Sequence, residues 1–176
     1  MSDTNSFDGR RLRVASLERI NAAIGRAAAW MTLAMVVVTF AVVVLRYAFD
    51  FGWIWLQETV TWMHAAVFML AAAYTLARDG HVRVDVFYRN WSPRGKALVD
   101  AAGAAIFLMP FCGFLIWSSW DYVSTSWAIH ESSREAGGLI YPFPSILKSF
   151  IPLMGAMLLL QGLVLLLRSV RTLRSS

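Results

Sequence analysis

Arg46 and Glu58 are separated by eleven residues and stand at the facing ends of two long apolar runs. A guanidinium and a carboxylate so placed either pair as an interfacial ion bridge that fixes a hairpin, or touch a charged substrate. His64 is the one histidine inside an apolar run. A bis-histidine haem site needs facing histidines at matched depth. His81 and His130 lie outside the runs and on opposite sides of the membrane, so no haem is expected. The role expected of His64 is a hydrogen bond between helices, including one to a partner subunit. His130, Glu131 and Glu135 gather in one polar loop. Three such ligands in a loop read as a solvated cluster, and no metal is expected. Gln57, Thr59 and Thr61 begin one run and Gln161 lies deep in another. In lipid, amides and hydroxyls turn toward protein. No residue is assigned a catalytic role.

The elements that must position these side chains are four charge-free runs. Residues 27–45, 59–77, 101–120 and 149–167 contain no Asp, Glu, Lys or Arg over 19, 19, 20 and 19 residues. At about 1.5 Å per residue each makes a helix of roughly 30 Å, the thickness of a bilayer's hydrocarbon core. A soluble core helix would carry charge on one face of such a window. The expectation is an all-α integral membrane protein, a single four-helix bundle over residues 16–174 behind a polar tail at 1–15. The first run ends on Val44-Leu45-Arg46 without a small-residue cleavage site, and reads as an uncleaved anchor.

The chain is 58% hydrophobic with a mean hydropathy of +0.55, too apolar for an ordinary soluble domain. Its net charge is +5, and thirteen of the 16 Lys and Arg residues fall in the N-terminal tail, the middle loop and the C-terminal tail. Arg46, Arg134 and Lys148 are the other three. The positive-inside rule puts both termini and the middle loop in the cytoplasm. Anionic lipid headgroups account for the basic charge, and no nucleic-acid partner is implied. The single cysteine, Cys112, sits inside the third run and reads as a small buried apolar residue.

From Arg11 to Arg26, Leu17, Ile20 and Ile24 recur at helical spacing. This reads either as an amphipathic stretch on the inner surface or as a basic extension that sets topology. Asp50 and Gly52 mark a turn among five aromatics between the first two runs. In the middle loop, residues 81–87 alternate Val with polar residues; a lone strand would lack a partner, so a short surface helix or extended segment is expected. Ser92 reads as an N-cap with Pro93 at the first helical position. The third helix has no breaker before about His130, so it projects beyond the bilayer. Pro152 should kink the fourth helix or sit in its first turns. Small residues permit close contact: Ala65, Ala66 and Ala71–Ala73, residues 101–105, and Gly155 with Gly162. Trp53, Trp55, Trp120 and Trp127 cluster on the outer side. An aromatic belt explains them, and a docking face is the alternative.

In order, these features resemble the small membrane subunit of tripartite ATP-independent periplasmic (TRAP) transporters, the DctQ type. Arg46-Tyr47 closes the first span, and Trp53 and Trp55 lead to Glu58. Arg78-Asp79-Gly80-His81-Val82-Arg83-Val84-Asp85 ends the second, and Ser92-Pro93-Arg94 opens the third. Gly137-Gly138-Leu139 precedes Lys148, Ile151-Pro152-Leu153 and Leu159-Leu160-Gln161-Gly162. Gln57 stands where many members carry the first of two acids. The resemblance implies a sodium-driven importer of organic acids in a bacterial inner membrane. Its inner-loop pattern looks most like the branch that handles 2-oxo acids and other monocarboxylates. A large multi-span permease subunit would hold the substrate and sodium sites, and a periplasmic substrate-binding protein would deliver the substrate. This chain would brace the large subunit and help receive the binding protein, with membrane lipids around it and no cofactor. Arg46, Glu58, His64, His81, Asp85 and Gln161 are then structural or interface candidates, and the four tryptophans are docking candidates. Two rivals are an anchor subunit of a membrane redox enzyme, which needs haem or quinone ligands, and a self-contained small transporter, which needs an embedded acid or a homodimer.

Overall fold

The computed structural model describes the backbone of residues 4–78 and 90–175, with the side chains of 22–23, 25–76, 78 and 90–174. Among these residues it is all-helical, with four helices long and apolar enough to cross a membrane. They are α1 (Thr4–Phe49), α2 (Ile54–Ala77), α3 (Pro93–Ala128) and α4 (Phe143–Ser175). Each contains one of the charge-free runs. α1 runs through the segment expected to be a polar tail. Gly9 is the only breaker there, and one glycine costs a helix only about 1 kcal/mol. The amphipathic reading of residues 11–26 rests largely on side chains outside the described set. So do the middle-loop expectation, His81 and Asp85.

Local chemistry sets the helix ends. α1 stops at Asp50, which takes the left-handed conformation (φ 57°), while the Phe51 N–H donates to the Leu45 carbonyl at 2.9 Å. Asp tolerates that conformation better than most residues. At α3, the Ser92 hydroxyl accepts the Gly95 N–H at 3.2 Å and Pro93 follows it, as the sequence predicts. α3 ends at Ala128, with His130 in the left-handed region (φ 51°). Its 36 residues rise about 54 Å, so it projects well past a 30 Å core. Pro152 lies inside α4, which continues on both sides of it.

The helices form an open row rather than a closed bundle. α1 packs along α2, α2 against α4, and α4 against α3. α4 is central: a third (33%) of its most apolar window is buried, against 6% for α1. A small apolar core joins α2, α3 and α4 through Ala73, Cys112, Met157 and Leu158. Gly155 and Gly162 admit Ile116 and Leu108, each 2.9 Å from where a Cβ would stand. At Gly25 of α1 the fit is tighter, because a Cβ would meet the Tyr74 ring of α2 at 2.4 Å.

α3 carries an irregularity that the sequence reading missed. Residues Ala104–Leu108 form a π turn, and the Met109 N–H donates to the Ala104 carbonyl five residues back. Pro110, next along, has no N–H to offer the carbonyl of Ile106. The buried seam of α3 runs Ala97, Ala104, Cys112, Ser119 and Ser126. Three of its steps are seven residues and one is eight. Seven residues of α-helix drift about 20°, whereas eight would overshoot by about 80°. The wider π turn absorbs the extra residue and keeps Cys112 in line with Ala104.

Candidate functional site

The end of the row away from the two termini, called outer after the sequence expectation, concentrates the polar contacts. There the 129–142 connection folds back from α3 over the start of α2 before entering α4. The Glu58 carboxylate is its anchor. One oxygen accepts the Ser133 hydroxyl, and the other accepts the Leu139 N–H at 2.6 Å. The Trp55 N–H donates to the Gly137 carbonyl at 3.1 Å. Gly137 holds φ 80°, a conformation glycine adopts at no steric cost. Gly138 leaves no room for a side chain, since a Cβ would lie 2.7 Å from the Glu58 carboxylate. Within the loop the Tyr141 N–H donates to Ser132 Oγ at 3.2 Å, and the Ser133 N–H to the Leu139 carbonyl at 2.8 Å.

A second anchor ties the loop to α4. Lys148 Nζ donates to Glu131 at 2.5 Å and sits 3.9 Å from the centre of the Tyr122 ring. The Lys148 hydrogen bond, helped by the Ser126 hydroxyl, holds the Glu131 carboxyl below its ordinary range. Beneath it the buried Ser126 and Ser145 hydroxyls lie 3.0 Å apart and clasp α3 to α4. The Trp62 indole N–H donates to the Phe143 carbonyl at 3.0 Å, and its ring meets Phe150 edge-on at 5.6 Å. Glu58, Arg134 and Lys148 border an open outer cleft of about 520 Å³. An apolar groove of about 700 Å³ runs beside it, between Met31 of α1, Trp62 and Met63 of α2, and Phe143.

The ion pair between Arg46 and Glu58 is not formed. Arg46 is exposed in the last turn of α1, and the Glu58 carboxylate is engaged by the loop. His64 is exposed on α2, and among the described residues its ring nitrogens make no hydrogen bond. Gln161 is 4% exposed and faces its own chain's interior rather than a partner. Trp53 and Trp55 stand exposed in a stepped stack with Phe51, at centroid separations of 6.2 and 6.1 Å. Trp120 is 64% exposed. Trp127 differs from these: its N–H donates to Ser149 Oγ at 2.9 Å and its ring meets Tyr141 edge-on. It is a strut between α3 and α4. His130 packs on Tyr141 at 4.7 Å while Glu131 turns to Lys148, so the outer-loop trio does not converge. Sequence reasoning missed Ser126, Ser145, Ser133 and Trp62. Their signal was hydroxyl and indole groups near the outer ends of spans, where lipid cannot satisfy them.

The site is a set of hydrogen-bonded anchors at the outer end, and its carboxylates, Glu58 and Glu131, lie outside the four charge-free runs. A family model described as tripartite ATP-independent periplasmic transporters, DctQ component, matches residues 35–172. A Vibrio cholerae protein named C4-dicarboxylate TRAP transporter small permease protein DctQ is 32% identical over 89 residues. That match covers 51% of this chain and 38% of the relative, so the chain spans well under half of that relative's length.

Proposed function

The chain belongs to the DctQ component family of tripartite ATP-independent periplasmic transporters, and from that premise we propose that it is the fixed small subunit of a sodium-coupled importer of organic acids. It braces a large multi-span permease subunit in a bacterial inner membrane, with both termini cytoplasmic. Its outer loop helps receive a periplasmic substrate-binding protein. The substrate class we favour is carboxylates, 2-oxo acids and other monocarboxylates among them.

One observation carries the scaffold reading. The four apolar runs hold no Asp, Glu, Lys or Arg and one histidine, the exposed His64, while the outer end is tied by hydrogen-bonded anchors. A coupled carrier needs a protonatable or ion-binding group at mid-depth. A brace needs tied helix ends and outward faces, and the loop anchors and the open row support that reading. A redox anchor is less well supported, because His64 lies on a free face and His130 is stacked on Tyr141.

Reconstitution tests the reading. Liposomes holding this chain and its binding protein should show no sodium-dependent uptake, and adding the large subunit should restore it. Uptake without the large subunit would sink the scaffold reading.

A further inference from the structure

Among the described residues, one face of α2 has no neighbour. Ala66 and Ala73, both 0% exposed, define its inner side. Glu58 and Trp62 turn to the loop and α4, and Tyr74 meets α1. On the opposite side run Gln57, Thr61, His64, Phe68, Ala71 and Thr75. Their spacing is four, three, four, three, four, which keeps all six on one stripe of the helix. They are exposed or half-exposed, and Phe68 is 72% exposed. The stripe spans 19 residues, about 27 Å, nearly the whole hydrocarbon core.

One group on this stripe, His64, does not suit acyl chains. The Thr61 and Thr75 hydroxyls are already bonded to the carbonyls of Gln57 and Ala71. Among the described residues the His64 imidazole has no hydrogen-bond partner, and a bare imidazole in hydrocarbon is costly. We infer that this face of α2 seats a transmembrane helix of the large subunit, which places a hydroxyl, amide or carboxylate opposite His64. The inference rests on the scaffold reading and adds to it which helix faces the partner.

The test uses the co-expressed, purified complex. A photo-crosslinking phenylalanine analogue replaces Phe68 in one variant and Phe107, exposed on α3, in another. The expected result is a strong crosslink from position 68 to the large subunit and little from 107. A crosslink from 107 alone overturns the seat on α2 but leaves the scaffold reading intact. A crosslink from 68 to a second copy of this chain, or only to lipid, overturns the assigned occupant. If neither position crosslinks and the two subunits run apart on native gels, both readings fall. In parallel, His64→Leu should weaken association about threefold to tenfold, as loss of an interhelical hydrogen bond does. His64→Gln should retain most of it. Equal, wild-type association in both variants overturns the role given to His64.

Discussion

Glu58 and Arg46 show how a short separation in sequence misleads. Eleven residues and opposite charges suggest a pair, but the carboxylate goes instead to Ser133 and Leu139, 75 and 81 residues away. A backbone N–H at a loop tip must find an acceptor, and a carboxylate can take two donors at once. No local pattern announces such a contact. The Ser92 cap was legible because its donor lies three residues off. The consequence for mutation is specific. Glu58→Ala should lower the stability of the purified protein by roughly 1–3 kcal/mol, the scale of hydrogen bonds to a charged group. Arg46→Gln should stay within about 0.5 kcal/mol. The two effects should add. Thermal unfolding in detergent checks this, and a large loss from Arg46→Gln would restore the ion pair.

At the level of elements, the spans were readable because a membrane demands long charge-free helices. Their neighbours were not, because lipid and protein present similar apolar surroundings to a helix face. The alanine and glycine positions showed only where helices can approach. Gly25 is the sharpest case, since the Tyr74 ring occupies the space of its missing side chain. Gly25→Leu should push α1 off α2 and destabilise the protein by about 1–3 kcal/mol, the usual cost of overpacking. Adding Tyr74→Ala should recover part of that loss. Thermal unfolding of the single and double variants decides it: a double variant no more stable than Gly25→Leu alone would show that the two positions do not share one contact.

For the whole molecule, the placement of basic residues predicts an orientation that the fold alone does not. We expect a cysteine replacing Ser92 to react only with reagent on the cytoplasmic side, and one replacing Ser132 only from the periplasm. The native Cys112 is fully buried and should stay silent in both assays. Inside-only labelling at position 132 would invert the molecule. The open row could not be read from the chain, because four equal apolar runs suit a bundle as well as a line. It follows from which faces carry small residues and which carry bulky ones. α1 touches chiefly α2, so it has the least of the row to hold it in place.

The π turn in α3 has a consequence for how chains of this family are compared. Between Ala104 and Cys112 the helix holds one residue more than its buried seam requires. A relative lacking that residue would run as plain α-helix there and still present the same seam to α4. A single-residue gap at this point is therefore neutral to packing. The same gap between Cys112 and Ser126 would swing the outer half of the helix by about 100°. It would carry Ser126 away from Ser145 and Trp127 away from Ser149. Insertions and deletions along α3 are thus unequal, and the Ser126 and Trp127 clasp tolerates length variation only on the N-terminal side of Cys112.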